Sequence, residues 1–353
     1  MYHKTILAVL SVIATLTGVK CGLVDIFNIS SDYNLASALD IAFALTRNDI
    51  GLVLSGEITT PIEEDVTFWC GNRESPGLSQ TFLDDPEVQQ KIDFTKPIHY
   101  VMLVTHGWLD NHELSWIQQT AQDALQFIDT NVCIVGWGRL AKYNYFQAAK
   151  ENTRLVSDYL TRFVDFLNQE GMSLDVITLA GHSLGAQICG QVGSNLNGQI
   201  AEIYGIDPAG PLFTFPLDVG KGNRLDKSDA KYVQMILTSR YMLGVGAGDG
   251  HENFIPNGGT SPQPNCVFPV TSDAEMADQI VCSHLHATSL FRLSLDPSNA
   301  FIGVQCINWV AYLLKSCLLN PRDLLGVYNQ KLGGDFYLQT SADAPYVKNS
   351  KKY

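Results

Sequence analysis

The chain is poor in positive charge: 23 Lys and Arg stand against 36 Asp and Glu in 353 residues, a formal net charge of −13. That deficit excludes a nucleic-acid binder, whose affinity comes from cations displacing counterions on phosphates, and it leaves no bulk attraction to an anionic membrane. Any affinity for lipid has to come from apolar surface. Charged residues make up only 17% of the chain and hydrophobic ones 46%, which argues against disorder and coiled coil and for an ordinary buried core. After Val19 no stretch of about eighteen residues is without charge or strong polarity, so no membrane span is expected in the mature chain. No internal repeat and no low-complexity tract is present.

The N-terminus does carry an apolar run. His3 and Lys4 precede Thr5 to Val19 (TILAVLSVIATLTGV), which is too short for a comfortable span and follows a basic start. The pattern predicts a signal peptide over residues 1–21, cut between Gly18 and Cys21, and therefore a secreted, extracellular protein. Asn28-Ile29-Ser30 is a glycosylation sequon in the expected mature chain. Eight cysteines fit an oxidising compartment. Cys21 goes with the leader, Cys133 and Cys189 lie in apolar strand-like and helix-like runs and read as small buried hydrophobes, and Cys70 has no assigned partner. Cys266–Cys282 and Cys306–Cys317, in turn-rich sequence, are expected as loop staples.

From about residue 100 a theme recurs: an apolar β-branched run, a glycine-bearing turn, then an amphipathic helix. HYVMLVTHG leads to SWIQQTAQDALQFI, NVCIVGWG to a long helical stretch ending near Leu167, LDVITLAGHS to LGAQICGQV, and IAEIYGIDPAG to a proline-rich loop. Short continuous strands alternating with helices specify an α/β fold, a mostly parallel sheet with helices on both faces, in a single domain within 22–353 whose core spans about 60–340. SALDIAFALTRNDIGLVL reads as helical. Residues 240–282, rich in Gly, Pro and Asn, read as long loops, and GDFYLQT as a last strand.

Gly181-His182-Ser183-Leu184-Gly185 is a G-x-S-x-G sequence between a strand and a helix. Two glycines there let strand and helix approach while the backbone bends sharply at Ser183, lifting its hydroxyl to the sheet's C-terminal edge. A serine hydroxyl needs a base, and the base needs an orienting acid. Asp207, directly after the strand IYGI and before Pro208, is the acid best placed at that edge; Asp218, Asp226 and Asp229 lie in loop sequence. For the base, His251, His284 and His286 all follow Asp207, and the residues alone leave His284 and His286 close rivals. Thr105-His106-Gly107-Trp108 follows a strand where an oxyanion loop belongs, so the backbone N–H groups of Trp108 and Leu184 are expected to face one oxygen, with His106 shaping the loop.

Taken together, HGW, GHSLGA, GIDPAGP and CSH resemble the pancreatic lipase family of secreted animal serine hydrolases, over about residues 60–340. The 24-residue step from Ser183 to Asp207 is similar too. The resemblance implies an α/β-hydrolase fold. It maps the base to His284, two residues after Cys282, and makes Cys266–Cys282 the bracket of a lid. It implies a calcium loop in which Asp226 and Asp229 supply carboxylates and Lys221 and Arg224 backbone oxygens, with no cofactor needed for the chemistry itself.

The chain ends near the last strand of that domain, so the resemblance implies no C-terminal β-sandwich and no colipase partner. The bracketed lid holds fifteen residues, and with the short loop from Arg240 to Gly250 it resembles the phospholipase A1 members. The expected partner is therefore a lipid interface, with phospholipid sn-1 esters ahead of triglyceride or galactolipid. Phe268, Val270, Met276, Ile280, Tyr241, Met242 and Leu243 are candidates for its greasy rim. Two other readings are a lipid-binding yolk or storage protein, which would lack the full Ser, Asp, His set, and a small-ester hydrolase with no need of an interface.

Overall fold

The computed structural model describes residues 54, 56–94, 100–271 and 273–348, except for the side chains of 273 and 274. The expected leader, Cys21, Asn28 and the helical reading near residues 37–54 lie outside, or almost wholly outside, those residues.

Eleven strands form one sheet among the described residues. They are β1 (Thr67–Gly71), β2 (Ser79–Thr81), β3 (Val101–Thr105), β4 (Asn131–Gly136), β5 (Ile177–His182), β6 (Glu202–Ile206), β7 (Tyr232–Ile236), β8 (Glu252–Pro256), β9 (Ile302–Gln305), β10 (Arg322–Leu324) and β11 (Gly334–Leu338). The order is β10-β9-β11-β8-β7-β6-β5-β3-β4-β1-β2. The seven inner strands, β11 to β4, run parallel, while β1, β2, β9 and β10 pair antiparallel at the two margins.

The alternation expected of strands covered on both faces is explicit in β3. Val101 and Leu103 enter one apolar cluster, Met102 and Val104 the other. Helices α1 (Ser115–Phe127), α2 (Thr153–Gln169), α3 (Leu184–Asn195) and α4 (Asp273–Ser294) cover the sheet. The first cluster takes Val156, Leu160 and Phe163 of α2 and Ile188 of α3; the second takes Ile117 and Ala121 of α1 and Leu290 and Phe291 of α4. Each such fully buried Val, Leu, Ile or Phe side chain stabilises the fold by about 1.5–3 kcal/mol. This is the α/β-hydrolase arrangement, with the strand-to-helix bend after β5 at the middle of the sheet.

Two expectations are corrected. Residues 240–282 are not all loop: β8 is buried along its whole length, and α4 starts at Asp273. The polar residues that disguise β8 are buried in pairs. Tyr232 Oη donates to Glu252 Oε2, Gly333 N donates to Glu252 Oε1 at 2.9 Å, and Asn253 Nδ2 donates to Asp335 Oδ1 at 2.8 Å. Cys133 is buried but not a free thiol: it faces Cys70 across the β1–β4 ladder, and the two form a disulfide. Cys266–Cys282 and Cys306–Cys317 are both bonded. Cys189 remains a buried thiol, and burial pushes it up to about 12, which suits a small hydrophobe and no nucleophile.

Candidate active site

Ser183 occupies the bend between β5 and α3 with φ 57° and ψ −120°, a conformation that stores roughly 1–3 kcal/mol in a residue with a Cβ. The surroundings hold it there. Its N–H donates to Ile206 O of β6 at 3.1 Å, and its carbonyl accepts from Ala209 N at 3.2 Å and Ala186 N at 3.1 Å. The flanking glycines are required by contact. A Cβ on Gly181 would fall 2.3 Å from Gly185 O, and one on Gly185 would fall 2.5 Å from the carbonyl oxygens of both Thr105 and His106. The second glycine thus seats the helix start against the end of β3 and the turn after it.

Asp207 follows β6, fully buried, with φ 43°. Four donors meet its two oxygens. Thr238 N at 2.9 Å and Ser239 N at 3.2 Å reach Oδ1, while Ser239 Oγ and His284 Nδ1, the latter at 2.6 Å, reach Oδ2. Ser239 Oγ in turn accepts from Gly244 N at 3.0 Å and lies 3.2 Å from His284 Nδ1. The Asp207 contact puts the ring proton of His284 on Nδ1 and leaves Nε2 as the basic nitrogen. Asp218, the loop competitor, instead holds Arg224 through both carboxylate oxygens, at 2.9 and 3.0 Å.

The histidines separate cleanly. His284 and Ser183 line the same cavity of about 20 Å³, with Trp108, Tyr145, Leu243, Val281 and Leu285 around them. That is room for roughly one water. His286, two residues on, is buried elsewhere, its ring edge-on to Tyr346 at 4.7 Å, and burial pushes its imidazole down to about 4. His251 Nδ1 accepts from Val233 N at 3.0 Å, under the sheet's opposite end.

His106 is fully buried, with Nδ1 bonded to Gly107 O at 3.0 Å and Nε2 accepting from Trp137 N at 3.1 Å; burial drives it down to about 3, so it stays neutral. It fixes the turn that carries Gly107 and Trp108. A Cβ on Gly107 would lie 2.9 Å from Ser183 Cβ, so this turn is in direct contact with the bend. Leu184 is the first residue of α3, and no carbonyl of its own helix can accept its N–H.

The segment bracketed by Cys266 and Cys282 divides in two. Val267, Phe268 and Val270 are exposed, whereas Ile280 and Val281 belong to α4 and pack on the core. The fifteen-residue lid of the sequence reading is thus a short exposed stretch followed by the opening turns of the helix that bears His284. Of the other rim candidates, Met276, Tyr241 and Met242 are half-buried and Leu243 is buried. Sequence reasoning missed Ser239 and Gly244. A Cβ on Gly244 would fall 2.5 Å from Asp207 Oδ1, and neither residue sits in a recognisable motif.

In the expected calcium loop, Asp226 and Asp229 are buried side by side. Asp226 Oδ1 accepts from Ser228 N at 2.7 Å and Ser228 Oγ at 2.6 Å, but Asp226 Oδ2 is buried with no partner. Asp229 Oδ2 accepts from Asp226 N at 2.9 Å, and burial pushes its carboxyl up to about 7. The side chain of Arg224 turns to Asp218 and Asp249, and Lys221 Nζ lies 4.0 Å from Asp249 Oδ2. Among the described residues no three His, Cys, Asp or Glu side chains gather at one point. Two buried carboxylates with one orphaned oxygen fit a hard cation whose shell is completed by backbone carbonyls and water.

A family model described as Lipase matches residues 52–346. The chain is 34% identical over 249 residues to lipase member H of Xenopus tropicalis, covering 69% of this chain and 52% of that protein. It is 31% identical over 296 residues to phospholipase A1 member A of Rattus norvegicus, covering 80% and 63%. To pancreatic triacylglycerol lipase of Homo sapiens it is 28% identical over 314 residues, covering 82% and 66%. The chain spans about half the length of the lipase member H relatives it matches.

Proposed function

This chain belongs to the Lipase family, and from that premise we propose that it is a secreted serine hydrolase of lipid esters whose preferred bond is the sn-1 ester of a phospholipid. The observation that carries the reading is the 2.6 Å contact of His284 Nδ1 with the buried Asp207, in a ring that shares one cavity with Ser183. His284 Nε2 takes the proton of Ser183 Oγ as that oxygen attacks the acyl carbonyl, and Asp207 fixes the tautomer and steadies the imidazolium. The N–H groups of Trp108 and Leu184 receive the oxyanion, each worth roughly 3 kcal/mol to the transition state. His284 then protonates the departing alcohol, and water, activated by the same ring, releases the fatty acid from the acyl-serine.

The phospholipid preference is supported by the brevity of the exposed stretch before α4 and by the likeness to a protein named phospholipase A1 member A. Likeness to a triacylglycerol lipase supports the second reading, triglyceride hydrolysis. A storage role is disfavoured because Ser183, Asp207 and His284 are all present. Three disulfides support an oxidising, extracellular setting. Asp226 and Asp229, with the carbonyls of Lys221 and Arg224, are proposed to hold a structural calcium that stiffens the loop and takes no part in acyl transfer.

The experiment presents phosphatidylcholine and triolein side by side to the protein and to Ser183→Ala. The expected result is turnover of the phospholipid ahead of triolein, with the variant slower by roughly 10⁴-fold or more. Turnover of triolein alone refutes the phospholipid preference, and equal rates from the variant refute the mechanism.

A further inference from the structure

The segment closed by Cys306–Cys317 is apolar on both sides. Inward, Trp309 and Tyr312 stack on each other at 5.1 Å and approach Tyr337 of β11, which meets the packing needs of the short helix Trp309–Leu313. Outward it still presents aliphatics: Ile307 is 84% exposed, Val310 64% and Leu314 73%, and Leu319 just past the bridge is 100% exposed. Several large aliphatics this exposed within one short segment mark a contact surface.

Beside the ridge lies an open cavity of about 520 Å³ whose walls include Phe301, Ile302, Leu313, Leu318, Leu338 and Val347. Three cations, Lys315, Arg322 and Lys348, also line it, and among the described residues no carboxylate does. In a chain of net charge −13 this is a local reversal of sign. Outward aliphatics beside exposed cations match the boundary between acyl chains and anionic headgroups.

We propose that the ridge and the cationic cavity behind it are a docking surface for an anionic phospholipid bilayer, separate from the cleft that holds Ser183. None of its residues contributes to the Ser183, Asp207, His284 constellation, so the surface goes beyond the ester-hydrolase reading and stands without it. It also locates lipid affinity in a molecule whose overall charge opposes it.

The test measures co-sedimentation of the full chain carrying Ser183→Ala, so that no lipid is consumed, with vesicles of phosphatidylcholine alone and of phosphatidylcholine with about one third phosphatidylglycerol. Tighter binding to the anionic vesicles, weakened by salt, is expected. Lys315→Gln with Arg322→Gln lowers that affinity by roughly 25-fold, at about fivefold per cation near an anionic surface. Leu314→Asp with Leu319→Asp, both at exposed positions, removes binding to either vesicle. With Ser183 intact, both pairs of substitutions leave hydrolysis of a dissolved short-chain ester unchanged. Binding unaffected by either pair overturns the proposal, as does an anionic preference that survives loss of the two cations. Concentration-dependent dimerisation abolished by the Leu pair, with no vesicle binding, assigns the ridge to a second copy of the chain and also overturns it.

Discussion

His284 and His286 lie two positions apart on one helix, roughly 200° around its axis, and that separation makes opposite predictions for the two rings. His286 has both ring nitrogens buried without a hydrogen-bond partner, and burial pushes its imidazole from the usual 6.5 down to about 4. The native state therefore refuses a proton that the unfolded chain accepts. Above the ordinary imidazole range neither state binds it, and the ring contributes nothing to pH dependence. As pH falls below 6.5 stability is lost, and the loss is complete near pH 4, where the native ring also titrates. The difference of about 2.5 units corresponds to roughly 3 kcal/mol. His286→Leu removes this liability and two unpaired polar atoms with it. Urea unfolding at about pH 7 and about pH 4.5, followed by tryptophan fluorescence, should show the variant losing roughly 2.4 kcal/mol less on acidification than the parent, most of the full difference. The acid sensitivity of His106 is common to both proteins and cancels. Hydrolysis of a dissolved ester at neutral pH should be retained by His286→Leu and abolished by His284→Leu. Equal acid sensitivity in parent and variant would refute the burial argument; loss of activity in His286→Leu would refute the division of labour between the rings.

Three further outcomes are expected. Gly244→Ala drives a methyl group into Asp207 Oδ1, so kcat/KM should fall by about 10²-fold with the circular dichroism spectrum unchanged, since ångström-scale misplacement of a reacting group has that effect. Replacing Cys70 and Cys133 together by Ala opens a loop of 63 residues, and denaturant titration should register a loss of about 4 kcal/mol. A calcium chelator should lower the Tm of the parent, reflecting about 3 kcal/mol at calcium a hundredfold above Kd, and leave Asp226→Asn unmoved; an identical response from both would remove the metal assignment.

What the sequence made legible was local. Ser183 is framed by glycines whose contacts lie within a few residues or at the end of the neighbouring strand, and β3 to β6 are mainly apolar runs. β8 was hidden because Glu252 and Asn253 are buried by partners contributed from β7 and from residues 333–335, pairings that no local composition displays. The Cys70–Cys133 bond was hidden for the same reason: it depends on β1 pairing with β4, and TFWCG carries too short a pattern to be read as a strand. His284 and His286 could be told apart only once the sequence around them was known to be helix, not loop, because a two-residue step reverses direction on a helix. Ser239 and Gly244 act through their distance to Asp207, more than thirty residues earlier in the chain.

The helix that carries His284 begins inside the span closed by Cys266 and Cys282, so the roof over the serine and the proton acceptor are parts of one rigid rod. Tilting that rod aside would drag the imidazole off Asp207. In the proposed mechanism, the cover over the serine and the support of its base are therefore a single piece of the fold.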